Sequence, residues 1–140
     1  MNVVELVAAR IRAAVAPVVV FEHAAPSRLS DGGTIPRHYL IVSGNTGRDE
    51  SQSLVDVDEL RAPKVTVRCI SHHSSPQMAA AEVFAWSWQV RDTLRGWVPP
   101  LGVIAWRVEH ESSSPPYTDA TSLPDVAAIQ TEIFRIQYQP

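Results

Sequence analysis

Hydrophobic positions along the chain recur at two spacings, near 3.6 and near 2 residues, and the switches between them mark out the elements. Over residues 2 to 15 the spacing is helical. Val3, Val4, Val7, Ile11 and Ala14 fall on one stripe with Glu5, Ala9 and Arg12 opposite, Asn2 stands where an N-cap belongs, and Pro17 ends the pattern. Val18 to Glu22 is β-branched and apolar on both faces, which predicts a covered strand. Breakers at Pro26, Gly32, Gly33 and Pro36 predict a loop, followed by a strand over His38 to Ser43. Residues 44 to 63 read as a long connection, with weak alternation between Leu54 and Leu60.

Lys64 to Ser71 alternates as a third strand, with Val65, Val67 and Cys69 on one face. A long helix follows, capped at Ser74 (a capping box with Gln77) or at Ser75 (with Pro76 at the first helical position) and ended by Gly96 and Pro99 near Trp97. At 100° per residue, Ala79, Val83, Trp86, Val90, Leu94 and Trp97 make its core stripe. Val103 to His110 predicts a fourth strand with Ile104, Trp106 and Val108 on one face. Glu111 to Asp125 predicts a Ser- and Pro-rich loop. Ile129 to Tyr138 predicts a last strand, with Phe134, Ile136 and Tyr138 on one face and Ile129, Thr131 and Ile133 on the other. The order α-β-β-β-α-β-β implies an α+β domain: a mostly antiparallel sheet of four or five strands with both helices on one face.

The 140 residues suit one domain, 1–140, that buries roughly two thirds of its unfolded surface. A formal charge of -3 supplies no basic footprint for gripping a nucleic-acid backbone. The lone Cys69 has no disulfide partner in the chain and reads as a small buried hydrophobe. Glu5, Arg10 and Arg12 interrupt the first apolar pattern, which argues against a secretory signal, and no apolar run approaches the ~20 residues that span a bilayer. The expectation is a soluble protein made in a cytoplasm, with no membrane contact.

Catalytic fingerprints are missing from the sequence: it has no phosphate-binding glycine loop, G-x-S-x-G elbow, H-E-x-x-H or paired-cysteine motif. His72 and His73 are adjacent on an extended segment, point to opposite sides, and read as polar residues of a strand–helix turn. Ser74, His110 and Asp119 supply the residue types of a triad, but triads are recognised by geometry. The 44–63 connection carries Asp49, Glu50, Asp56, Asp58 and Glu59 against Arg48 and Arg61, without the spacing of a calcium loop. The reading is therefore a non-enzyme, with no catalytic, cofactor-binding or metal residues assigned.

The second helix has apolar surface beyond its core stripe. Phe84 and Trp88 lie at i and i+4, about a third of a turn away, and share that flank with Arg91 and Arg95. Aromatics interleaved with arginine are enriched at the centres of protein interfaces. The alternative is that Phe84 and Trp88 pack beneath a loop or against the first helix.

Taken in order, an N-terminal helix, the strand YLIVSG, an acidic connection, PKVTVRCIS, the helix PQMAAAEVFAWSWQVRDTLRGW, the loop SSSPPYTDATSLPD and the aromatic strand TEIFRIQYQ resemble the tail terminator (tail completion) proteins of long-tailed bacteriophages. The resemblance spans nearly the whole chain and is one of order and texture, without a diagnostic motif. It implies a virion structural protein that forms a hexameric ring, caps the tail tube at the head-proximal end and meets the head–tail connector, after assembly in the host cytoplasm. DNA would pass through the lumen unread, which suits a net negative chain. By analogy, Phe84, Trp88, Arg91 and Arg95 are candidate subunit contacts, and Arg48, Asp49, Glu50, Asp56, Asp58 and Glu59 candidate lumen or tube-facing residues. A head–tail connector or head-closure subunit is the nearest alternative. A small hydrolase or metal-dependent enzyme using His72, His73 or His110 is the alternative of another class.

Overall fold

The computed structural model describes residues 2–26, 36–44, 61–119 and 126–140. Arg48, Asp49, Glu50, Asp56, Asp58 and Glu59 lie outside these residues, as does the weak alternation from Leu54 to Leu60.

Helix α1 (Val3–Val15) begins at a complete capping box: the Asn2 side chain accepts from the Glu5 amide at 2.9 Å and the Glu5 carboxylate accepts from the Asn2 amide at 3.0 Å. Its buried residues are Val4, Val7, Ala8, Ile11 and Val15. Ala14, expected on that stripe, is exposed, because the buried arc centres on Val4, Ala8, Ile11 and Val15 and Ala14 falls at its margin in the last turn. Strands β1 (Val19–Glu22), β2 (His38–Gly44) and β3 (Lys64–His73) lie within a residue or two of their predicted positions. Helix α2 (Pro76–Leu94) resolves the capping choice in favour of Ser75, with Pro76 in the first turn, and it ends through Arg95 into Gly96 at φ +82°.

The predicted fourth strand is split in two. β4 (Ile104–Ala105) pairs with β8 (Tyr138–Gln139) as a separate two-stranded corner, and β5 (Glu109–Ser113) joins the main sheet. Between them the Trp106 amide donates to Gln137 O (3.0 Å) and the Val108 amide to Trp97 O (2.8 Å), so the backbone is satisfied by two different partners instead of one ladder. Only Val108 of the expected apolar face is buried; Ile104 and Trp106 are exposed. The Ser/Pro-rich segment holds part of β5 and β6 (Tyr117–Asp119), and the last predicted strand comprises β7 (Val126–Arg135) and β8.

Among the described residues the main sheet has six strands in the order β1-β2-β3-β7-β5, with β6 also on β7; of these pairings only β1 and β2 run parallel, and the others are antiparallel. Register puts Leu40 opposite Cys69, Val42 opposite Val67 and Phe134 opposite Val65. These side chains share one face, and both helices cover it with Val4, Val7, Ile11, Val83, Val90 and Leu94. The α+β arrangement, two helices on one side of a mostly antiparallel sheet, is thus as the pattern predicts. The alternate positions, including Phe21, Tyr39, Ile41, Ile129 and Ile133, point to the other face and are half-buried.

Cys69 is fully buried, accepts a hydrogen bond from Ser87 Oγ at 3.6 Å, and burial pushes its thiol up to about 12. The group therefore stays protonated through the physiological range, and a thiol-specific disulfide reagent at pH 8 should label the denatured chain fully and the folded chain only at its opening rate. Rapid stoichiometric labelling of the folded chain would contradict this burial. Glycines give a second expectation. A Cβ at Gly102 (φ +60°) would stand 2.0 Å from the Gln139 carbonyl oxygen, whereas one at Gly96 would meet nothing within 4 Å. Gly96→Ala should cost about 1–2 kcal/mol for its left-handed backbone alone. Gly102→Ala should cost clearly more, compared by denaturant midpoint; equal costs would mean that the β4–β8 corner yields freely.

Candidate assembly surface

Helix α2 is polar on its inner side as well as apolar. Ser87 is buried at the centre of the sheet-facing stripe, and Glu82 and Arg91 lean inward from either side of it. The outer stripe runs the other way: Ala81, Phe84, Ala85 and Trp88 face solvent, with Phe84 47% and Trp88 44% exposed and their rings edge-to-face at 6.4 Å. Among the described residues, neither aromatic packs beneath a loop or is enclosed by α1.

Trp88 is held by a chain of contacts that starts in the core. Arg91 lays its guanidinium over the Trp88 ring at 4.5 Å and donates through Nη2 to Glu132 Oε1 at 3.0 Å. Glu132, on β7, is fully buried. Its Oε1 also accepts from Ser113 Oγ (2.8 Å) and Gln130 Nε2 (3.2 Å), and Oε2 meets His110 Nε2 at 2.6 Å. A buried carboxylate is tolerated only when its lone pairs are filled, and here α2, β5 and β7 fill them together. Arg91 is thus largely buried by an ion pair, while Arg95 is exposed at the helix end, where its amide donates to Arg91 O at 2.8 Å.

A second apolar patch lies on the β4–β8 corner and its approach. Val98, Val103, Ile104 and Trp106 are 49%, 81%, 50% and 44% exposed. In the sequence these positions show only the alternation of Ile104, Trp106 and Val108 along a predicted strand, which does not mark a surface patch.

The histidines considered for catalysis do not converge. His72 lies on the open sheet face, stacked on Tyr39 at 6.3 Å, with Nδ1 3.0 Å from Arg37 O. His73 is on the helix face against Glu82, and His110 pairs with Glu132. His73 is opposite Val126 and His110 opposite Phe134 in the register, so the two are eight residues apart along β7, about 26 Å at strand rise. Asp119 is opposite Ala127, whose parity is that of the open face, while His110 lies on the helix face; Ser74, His110 and Asp119 form no triad. His38 joins His73 and Glu82: its Nδ1 is 2.9 Å from Ser71 Oγ and 3.7 Å from Glu82 Oε1. The sequence reading missed Glu132 and His38. For Glu132 a signal existed, since Gln130 and Glu132 share the parity of buried Phe134. His38 is brought to His73 by strand register, which sequence spacing does not display.

No family model matches the chain, and no curated protein matches it. Among solved structures, a chain from the virion of a native gene transfer agent particle superposes with a TM-score of 0.62 over 99% of this chain and 95% of its own, at 14% identity. At that identity the likeness is one of fold. No helix among the described residues is long and apolar enough to cross a membrane.

Removing the buried carboxylate while leaving its partners should be severe. Glu132→Ala is expected to lower stability by about 3–5 kcal/mol, because Arg91 loses its counter-charge and His110 its hydrogen-bond partner inside the fold. Denaturant unfolding checks it, and a loss under about 1 kcal/mol would mean that solvent reaches the network.

Proposed function

We propose that this protein is a structural subunit of a phage-like virion, and specifically a tail terminator: a ring, hexameric by resemblance, that closes the head-proximal end of the tail tube and meets the head–tail connector. The observation that carries the virion reading is the agreement in fold, along nearly the entire length of both chains, with a chain of a gene transfer agent virion. The order of elements behind the tail-terminator resemblance agrees with it.

Ring assembly draws on the surface. A closed ring of more than two copies uses heterologous contacts, so each subunit needs two different patches that fit one another. The described residues carry two: the Phe84–Trp88 stripe of α2 and the Val103–Ile104–Trp106 corner. Phe84, Trp88, Arg91 and Arg95 are the proposed subunit contacts, with Trp88 as the anchor and Arg91 as its support from beneath. The acidic 44–63 connection is the proposed lumen or tube-facing segment, and a chain of net charge -3 leaves passing DNA free to slide. A structural role fits the separate placement of His72, His73 and His110 better than a hydrolase does.

Native mass by light scattering across a concentration series, with negative-stain imaging of the same fractions, tests the reading. Closed rings near six copies are expected, alone or on added tail tubes. Trp88→Ala should weaken association roughly thirty-fold, the effect of losing a 2 kcal/mol anchor, while the thermal midpoint stays close to wild type. Rings that bind connectors but ignore tail tubes would transfer the protein to the head-closure class. A monomer at every concentration, with and without tubes, would overturn the ring, and a Trp88→Ala chain that unfolds would return Trp88 to the core.

A further inference from the structure

We propose that His38, His73 and Glu82 form a binding site for a divalent transition-metal ion of the zinc class. The three residues come from three elements: β2, β3 and the second turn of α2. One imidazole nitrogen from each histidine and one carboxylate oxygen lie within 4.8 Å of one another. Tetrahedral zinc with bonds of about 2.0–2.1 Å holds its ligand atoms about 3.4 Å apart, so an ion would shorten the wider separations by about 1.4 Å at most and would part His73 from Glu82. The His73–Glu82 ion pair already closes one edge of the site, and His38 Nδ1 stands 3.7 Å from Glu82 Oε1 along another.

The surroundings are those of a supported ligand set. Ser71, wholly buried, donates through Oγ to Glu82 Oε2 at 3.2 Å and holds the carboxylate, while its 2.9 Å contact with His38 Nδ1 is one that an ion taking that nitrogen would replace. The Trp86 ring stands edge-on to His38 at 5.5 Å and limits its rotation. His38 and His73 face each other with ring centroids 5.0 Å apart. All three ligands are only partly exposed, so an ion displaces little water on the protein side and keeps a fourth position open to solvent or to a group from another molecule. Two imidazoles and one carboxylate favour zinc, cobalt or nickel over magnesium and calcium, which require an oxygen cage.

The site does not depend on the assembly reading, and its test needs only the folded chain. Zinc, cobalt and magnesium are titrated separately into metal-free protein, with calorimetry for stoichiometry, thermal midpoint for coupling to the fold, and the visible absorption of bound cobalt for geometry. One zinc per chain, a saturable rise in midpoint and tetrahedral cobalt bands are expected. Glu82→Gln keeps the shape and the Ser71 contact, and it should weaken zinc at least tenfold; His38→Gln and His73→Gln should do the same. His72→Gln is the control, since His72 lies across the sheet, and it should bind zinc as wild type does. Absence of zinc binding below millimolar concentration, equal loss in His72→Gln, or undiminished binding in a His38→Gln, His73→Gln double variant would each overturn the site. Magnesium binding of equal strength would overturn its assignment to the zinc class.

Discussion

A carboxylate with no exposed surface is the constraint from which the rest of this structure follows. Most of the core is small and aliphatic: Val65, Val67, Val83 and Val90 between sheet and helices, Val4, Val7 and Ile11 beneath α1. Such contacts are non-directional and would tolerate small slides of α2 over the sheet. Glu132 does not tolerate them. Its two oxygens take four partners from α2, β5 and β7, and a shift of one helical turn would leave a charge unpaired in the interior. The aliphatic core supplies burial, and the ion network supplies the address at which α2 docks.

The same network explains why a tryptophan stands on the outside. On an ordinary surface helix the polar residues face water and the apolar residues face the core. In α2 that separation is partly inverted. Glu82, Ser87 and Arg91 turn inward or are buried, while Ala81, Phe84, Ala85 and Trp88 look outward. Every inward polar group has a partner: Glu82 has His73 and Ser71, Ser87 has Cys69, and Arg91 has Glu132. The outward apolar stripe has no equivalent compensation within the described residues. A helix so arranged is stable in the monomer through its polar contacts and still offers apolar area to something else.

Much of this was legible in the sequence, and the parts that were not share a cause. The helices, their caps, the first three strands and the helix-on-sheet layering follow from local spacing, since periodicity and capping act over a few residues. The Val103–His110 strand failed because its break is decided elsewhere: Gln137 and Trp97 accept the amides that a continuous ladder would have used. Ile104 and Trp106 share a predicted strand face with Val108, yet only Val108 is buried. His38 and Glu132 were missed for the same reason, because strand register and a helix crossing, not spacing, bring His38 to Glu82 and Glu132 to Arg91. Phe84 and Trp88 stood out by their place off the core stripe, a local property, and the structure puts them in solvent.

Association is opposed by the loss of side-chain freedom on both partners, and that opposition is smallest where the contact residues are already fixed. Trp88 meets this condition. It sits mid-helix, its ring lies between Phe84 and the Arg91 guanidinium, and Arg91 is itself anchored to a carboxylate that solvent does not reach. Rigidity is thus conducted outward from the core to the exposed ring in two contacts. A flexible arginine on the surface would give Trp88 no such support, and a Trp88 buried in the core would leave nothing to dock. The arrangement separates the group that fixes the fold from the group that offers a surface, while keeping the two in contact. A subunit of the proposed ring, folding alone and then assembling over one face, would need that separation.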